Sequence, residues 1–457
     1  MTPVPSKSTL VVGAGIIGAA IAYDLQKRGR EVTLIDRAPP GEGASFGNMA
    51  SIAVTEFMPV ARPAVLRHIP GWLLDPEGPI RLSPRYMTRL MPWFWRFLLA
   101  SRPSQVRKIE TAGAELCRRA LADTQALMAE IGIGGQLSKA GCISLYADEA
   151  EFKADRARIN MLERHGFEYR VLEGEAIRDL EPEISPEISK AVVLPDNRTV
   201  ADPHGFVLRL VDRFQALGGR FQTGDVVGFD RGGRINGVLL AGGEILKADE
   251  VILCAGAYTG RLAKMLDEPI PLETERGYHT HIKAPEIVLK HAIIWPARAF
   301  MVSPTAGGIR VGGTVEMAGL DAAPDYRRAS LTAKRACKAL PNLMLQDTSE
   351  WMGHRPAFPD TIPVMSESAK TRGVYYATGH GHLGLTLAAT CARLMGDLIV
   401  AGKTSLDMTA FRVDRFWISE PRGSTRGPTR DKRGSHACDG SAVCKRWTST
   451  APERSGA

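Results

Sequence analysis

Apolar and polar positions alternate along the first fifty residues in the rhythm of a strand, a helix and a second strand. Thr9-Leu10-Val11-Val12 is a short run with β-branched residues, bounded by Gly13, and reads as a buried strand. A helical stretch begins near Ile16, and the second run, Val32-Thr33-Leu34-Ile35, closes on Asp36. Further along, Ala112, Leu116, Ala120 and Leu127 recur at mixed three- and four-residue spacing and predict a helix over 105–130. Residues 141–146 read as a strand, 149–165 as an amphipathic helix, and 173–180 as a short helix ended by Pro182. Asp202 followed by Pro203 predicts an N-cap with proline at the first helical position, opening a helix to Ala216. Strand-like runs follow at 220–222, 226–229 and 235–240, with Arg231-Gly232-Gly233 as a hairpin turn. Residues 250–257 form a buried parallel strand ending in small residues. A block of strands with one helix fills 263–350, then glycine-punctuated loops run from Trp351 to a strand at 374–378 and a last helix over 383–401.

The opening unit has a chemical meaning. Gly13-Ala14-Gly15-Ile16-Ile17-Gly18 sits between strand and helix, and the acid Asp36 ends the second strand, all within about thirty residues. Gly13 permits the tight turn, Gly15 admits a pyrophosphate close to the backbone, and Gly18 lets the helix pack on its strand. The helix N-terminus offers free N–H groups to phosphate. Asp36 is placed to accept hydrogen bonds from a ribose 2′-OH, and no basic cluster receives a 2′-phosphate; Arg37 is the nearest cation. No second such turn appears, which favours one tightly held dinucleotide, FAD, over a flavin enzyme with a separate nicotinamide domain. Ala255 and Gly256 end a strand where that dinucleotide would lie against the backbone.

Composition changes this picture little. The 457 residues can bury a large core, with 44% hydrophobic and 24% charged residues as in ordinary globular chains. Seven scattered cysteines without a CxxC pair read as free thiols in a reducing compartment, and no histidine spacing suggests a metal. The glycine spacing explains the apolar stretch 10–23 better than a signal peptide does, so a cytoplasmic protein is expected. Of the net charge of +8, half comes from 417–457, which carries eight Lys/Arg and four Asp/Glu. That segment lacks apolar periodicity and is expected to be a disordered basic tail; without interleaved aromatics it does not suggest nucleic-acid binding. The stretch 62–108 carries Trp72, Trp93, Phe94, Trp95 and Phe97 among many arginines. It is compatible with peripheral contact to the inner face of the cytoplasmic membrane and delivery of electrons to a quinone, or with packing of a substrate domain.

Several motifs in order carry a resemblance. They are the glycine turn with Asp36, Gly43-Ala44-Ser45-Phe46-Gly47-Asn48, Leu74-Asp75-Pro76-x-Gly78-Pro79, Arg276-Gly277-Tyr278-His279, Gly353-His354-Arg355-Pro356-x-x-Pro359-Asp360, and Thr378-Gly379-His380-Gly381-His382-x-Gly384. Over roughly 8–416 the chain resembles the FAD-dependent D-amino-acid oxidase and glycine oxidase superfamily, and within it the bacterial D-amino-acid dehydrogenases. It departs from them at Val364-Met365-Ser366, where a glycine is usual, and at Asp36, where a glutamate is common.

The resemblance implies an α/β fold in which a Rossmann-like FAD-binding domain (1–50, 200–262 and 351–416) interleaves with an α+β substrate domain on a mixed or antiparallel sheet (51–199 and 263–350). It implies that Ala44, Ser45 and Asn48 pass the flavin and pyrophosphate, that Val226 and Val227 meet the adenine region, and that the backbone of Gly381, His382, Leu383, Gly384 and Leu385 faces the flavin from the start of the last helix. Arg355 would bind the substrate carboxylate, since a guanidinium is a fixed bidentate donor, with Tyr278 giving a second hydrogen bond. The implied reaction passes the α-hydrogen of a D-amino acid, cyclic ones such as D-proline or hydroxy-D-proline included, as hydride to flavin N5. The imine then hydrolyses to a 2-oxo acid, and no catalytic triad is needed. An oxygen-using oxidase or demethylase of glycine or sarcosine is the alternative, followed by a partner subunit without turnover.

Overall fold

The computed structural model describes residues 7–417 except 76, 77 and 79. The expected basic tail therefore lies outside the described residues, apart from Trp417. Elements are numbered in chain order. Strands β1 (Ser8–Val12), β2 (Glu31–Asp36), β9 (Arg220–Thr223), β13 (Glu250–Leu253), β19 (Val364–Glu367) and β20 (Val374–Thr378) form one sheet, ordered β19-β20-β13-β1-β2-β9. All its pairings are parallel except that of β19 with β20. A parallel sheet must be covered on both faces, and the pleat of β1 divides the work. Val11 points to helices α1 (Ile16–Lys27), α4 (Pro103–Glu130), α8 (Pro203–Ala216) and α11 (Gly384–Ala401). Leu10 and Val12 point instead to a three-stranded layer of β10 (Val226–Arg231), β11 (Ile235–Leu240) and β12 (Ile245–Lys247). Helix α11 is long and apolar enough to cross a membrane by length and composition, yet 67% of it is buried against α1 and α4. Its charged residues are paired inside the fold, Asp397 with Arg28 and Arg393 with Asp123.

A second, mixed sheet contains β4 (Ile80–Leu82), β5 (Cys142–Tyr146), β6 (Arg170–Glu173), β7 (Lys190–Leu194), β14 (Glu273–Ile282), β15 (Ala292–Trp295), β16 (Phe300–Thr305), β17 (Gly308–Met317) and β18 (Thr348–Ala357). Its order is β18-β14-β17-β16-β15-β5-β7-β6, with β4 beside β17. Helix α10 (Arg327–Ala339) closes one face through Ala336 and Ala339 against Ile143, Ile293, Val302 and Val311. A short pair, β3 (Ser51–Ile52) with β8 (Arg198–Thr199), lies apart from both sheets.

Two expectations change. Residues 351–357, read as a loop of the nucleotide domain, continue β18, which pairs with β14 along its whole length. Glycine and proline there mask the strand pattern, because long-range pairing decides it. Helix 149–165 is broken into α5 (Glu149–Ala154) and α6 (Arg156–His165) at Asp155, whose ψ is 7°. The Asp155 carboxylate accepts from Tyr146 Oη and Arg158 Nε, both at 2.8 Å, and these bonds hold the break. Downstream, α7 (Glu175–Leu180) and the Asp202 cap stand where the pattern places them; Asp202 Oδ1 accepts from the Gly205 N–H at 2.9 Å.

Candidate active site

A cavity of about 1040 Å³ runs between the two sheets. It begins at the glycine turn, where three glycines meet three different surroundings. Gly13 has φ +109°, and a Cβ there would fall 2.4 Å from the Cys254 carbonyl oxygen. A Cβ on Gly18 would fall 1.8 Å from the Gly13 carbonyl oxygen, so α1 can approach β1 only without one. Gly15 faces the cavity, and a Cβ there would meet just Ser45 Oγ, at 3.2 Å. Helix α1 has neither an N-cap side chain nor an acid in its first turn. Its Ile16 N–H donates to Ser45 Oγ (2.9 Å), while Ile17 also lines the cavity. Room and positive potential at a helix N-terminus fit a pyrophosphate.

Asp36 ends β2 beside this turn, accepting from the Ala14 N–H (2.7 Å) and the Ala38 N–H (3.1 Å) while its side chain lines the cavity. Ala14 and Gly18 themselves sit behind the wall. Arg37 lies 3.9 Å over the ring of Tyr258, and Val226, Val227, Ala255 and Gly256 complete this end. Helix α9 (Thr259–Met265) adds Arg261 and Leu262. Ala44 lines the wall as well. Asn48 shapes the turn, its Nδ2 donating to the Ser45 carbonyl and its Oδ1 accepting from the Ala50 N–H, each at 2.8 Å.

The far end is walled by loop 379–383 and the start of α11. Gly381, His382, Gly384 and Leu385 line the cavity. Leu383 does not: it is buried in the core, its N–H bonded to the His380 carbonyl, which corrects its place among the flavin contacts. The Gly381 N–H is likewise spent on the Pro356 carbonyl. Buried His380 Nε2 has no hydrogen-bond partner among the described residues and lines the same wall, where a bound polar group would satisfy it. Burial pushes His380 and His279 down to about 3, so both are neutral at ordinary pH.

Arg355 enters this end from β18. Its guanidinium lies flat across Gly277, where a Cβ would fall 2.3 Å from Cζ, and its Nη1 donates to the Thr314 carbonyl at 3.3 Å. The same cavity is lined by Val60, Leu82 of β4, Val315 and Met317 of β17, and Leu90, Trp93 and Phe97 from the inner face of α3 (Met87–Ala100), most of which pack in one apolar cluster. Helix α2 (Pro63–Leu74) adds Val65 and Ile69. Trp93 Nε1 reaches the Ala357 carbonyl at 3.3 Å, which fixes α3 over β18.

Tyr278 lines the cavity, but the hydrogen bond expected of it is a correction. Its hydroxyl donates to Glu316 Oε2 at 2.5 Å and accepts from the Asp325 N–H at 3.1 Å, so its single hydrogen is committed away from the cavity. Arg276 shares Glu316 with it. The pleat explains this: on β14 residues 276 and 278 point one way, 275 and 277 the other. Sequence reasoning missed Glu275 for the same reason. It also missed Trp351, whose indole lies on Gly47 and Gly353 and stacks on His279 with ring centroids 5.2 Å apart. The alternation of β14, counted from Gly277, was the available signal.

These features fit a dinucleotide at one end and leave a guanidinium free to bind at the other, and comparisons with known proteins bear on the first. The family model described as FAD dependent oxidoreductase (DAO) matches residues 8–398. A D-amino-acid oxidase of Bradyrhizobium diazoefficiens is 30% identical over 89% of this chain and 98% of its own length. D-amino acid dehydrogenase 2 of Ralstonia nicotianae is 31% identical over 89% and 99%. Among solved structures, glycine oxidase of Geobacillus kaustophilus superposes with a TM-score of 0.70 at 20% identity, covering 90% of this chain and 99% of that one. This last likeness concerns the fold. From the glycine turn, the open helix N-terminus and the family match together, the chain belongs to the DAO family of FAD-dependent oxidoreductases.

Proposed function

We propose that the protein oxidises D-amino acids with apolar side chains to the imine, which water converts to the 2-oxo acid. The observation that carries this reading is the Arg355 guanidinium facing a cavity that begins at the glycine turn and is lined mainly by apolar side chains. A fixed guanidinium in a partly dry site selects a carboxylate. The aliphatic and aromatic side chains that line the same cavity favour a hydrocarbon substituent over hydrogen or a second charge. Cyclic D-proline is among the substrates of this kind, and the D configuration comes from the names of the relatives. FAD, when bound, supplies the acceptor for the α-hydrogen as hydride. The chain's own part is to hold the carboxylate through Arg355, exclude water with α3 and β4, and keep His279 and His380 neutral. Purified holoenzyme mixed without oxygen with D- and L-amino acids, glycine and sarcosine tests this. Bleaching by D-leucine or D-phenylalanine is expected to be fastest; bleaching by glycine or sarcosine alone would sink it.

For the electron acceptor we propose a lipid-soluble quinone at the inner face of the cytoplasmic membrane. The outer face of α3 exposes Met87, Met91 and Trp95 one turn apart, Trp95 to 63%. Between 80 and 108 the chain has seven Lys/Arg and no Asp or Glu. Such a face suits an anionic bilayer. Sedimentation with phosphatidylglycerol vesicles, lost in Trp95→Glu, is the expected result. Stoichiometric peroxide release in air, with no vesicle binding, would favour the oxygen-using alternative.

A further inference from the structure

Resting on that reading, the pairing of β14 with β18 carries one more step. Glu275 stands directly opposite Arg355 in the antiparallel register, and both side chains line the cavity together with His382. Buried charges are normally paired and hydrogen-bonded, yet these two are not paired with each other. Among the described residues Arg355 makes the one hydrogen bond to the Thr314 carbonyl and no ion pair within 4.0 Å. Glu275 makes no side-chain hydrogen bond or ion pair. A guanidinium with spare donors and a carboxylate with spare acceptors therefore share one wall. A zwitterionic α-amino acid carries the matching two groups on one carbon.

We propose that Glu275 binds the substrate's α-ammonium group while Arg355 binds its carboxylate, and that Glu275 takes the ammonium proton before the α-hydrogen leaves. In that step an N–H bond breaks and an O–H bond forms on the Glu275 carboxylate. The electron pair left on nitrogen becomes the second bond of the C=N unit when the hydride departs to FAD. Water then adds to the iminium carbon, giving the 2-oxo acid with ammonium from a primary amine, or with the amine still attached at the chain end from a cyclic one. Burial raises the Glu275 carboxyl above its ordinary range, against the lowering influence of Arg355 and His382. A carboxylate so placed is a better base near neutral pH than an exposed one.

The test separates binding of the amine from turnover. 2-Aminoisobutyrate is a zwitterion with no α-hydrogen to lose, and isobutyrate is the same skeleton without the amine. Both are titrated into holoenzyme and read by the perturbation of flavin absorbance. Wild type is expected to prefer 2-aminoisobutyrate, and Glu275→Gln to lose that preference by roughly 10- to 100-fold, the worth of a charge-assisted hydrogen bond. Its isobutyrate affinity should stay level or rise, because a negative charge is removed. Arg355→Ala should weaken both ligands. An unchanged preference in Glu275→Gln, with Arg355→Ala weak for both, overturns the Glu275 assignment alone. Wild type that binds neither compound overturns it together with the amino-acid reading. Should Glu275→Gln purify without flavin, Glu275→Asp decides: flavin reduction at least tenfold slower with normal isobutyrate binding is expected, and a wild-type rate overturns the proposal.

Discussion

The two ends of the cavity are built from different materials. At the nucleotide end the wall is built largely from one local unit of backbone, a glycine turn, the N-terminus of α1 and the ends of β2 and β13, with the Asp36 side chain beside it. At the substrate end they come from side chains delivered by β14, β17, β18, α3 and the 379–383 loop, elements far apart in sequence. A backbone-built site depends on a few glycines in one local unit. A side-chain-built site depends on strand register across the chain. The first should therefore fail through folding and cofactor retention, the second through catalysis with the flavin in place.

The largest effect expected from this division is at Arg355. Losing one partner of a buried ion pair costs about 3–5 kcal/mol, so Arg355→Ala should lower kcat/KM by about two to three and a half decades, with normal flavin content. Arg355→Lys should recover part, because a point charge lacks the bidentate geometry. Loss of flavin in Arg355→Ala would mean that the two ends are not separable; reduction at the wild-type rate would place the carboxylate site elsewhere.

Legibility in the sequence follows the same line. The turn at 13–18, Asp36 and the N-terminus of α11 could be read because each is local: a few residues at fixed spacing set the backbone path. Arg355 could be named from its motif, but its setting could not. That β18 lies beside β14, that Arg355 rests on Gly277, and that Trp351 covers Gly47 are products of pairing over some eighty to three hundred residues. Tyr278 shows the failure most clearly. The residue type suited a carboxylate, but its hydroxyl is committed to Glu316, while Glu275, three residues earlier, lines the cavity without a hydrogen-bond partner among the described residues. Leu383 failed similarly, since one residue of a loop points to the core while its neighbours line the wall.

At the nucleotide end the next effect is expected from Asp36→Ala. A charge-assisted hydrogen bond is worth about 1.5–3 kcal/mol, so FAD affinity should fall by one to two decades. The variant also frees the Ala14 and Ala38 amides, so thermal stability of the apoprotein should drop as well. Full flavin retention through dialysis would remove Asp36 from the ribose site.

The glycines sharpen the comparison further. Overpacking costs about 1–3 kcal/mol, and its site decides what is lost. Gly18→Ala puts a methyl against backbone at 1.8 Å and should lower apoprotein Tm and FAD content together. Gly15→Ala meets just a side-chain hydroxyl, so apoprotein Tm should hold while FAD affinity falls. Equal behaviour of the two variants in apoprotein melting would contradict the separate roles given to them.

The last effect is the smallest per unit of change, a slope in pH, and concerns the substrate end alone. His279 is driven down to about 3 by burial first, with Arg310 and His281 adding to it. Its neutral form is the one the fold accepts. In the unfolded chain it titrates near 6.5, so its contribution is fully present above that pH and is lost as pH falls from 6.5 toward 3. Within that window the unfolded state binds one more proton than the native state at this residue. Stability should therefore fall by about 1.4 kcal/mol per pH unit from His279. Replacing it with Gln, which keeps a polar side chain but cannot charge, should flatten the acid side of the stability curve by that slope, measured by urea unfolding of apoprotein between pH 6 and 4. The variant should start less stable at pH 7, since the stack on Trp351 is lost, and the two curves should converge as pH falls. Parallel curves would show that His279 is charged in the native state, and the dry, neutral character given to the substrate end would then be wrong.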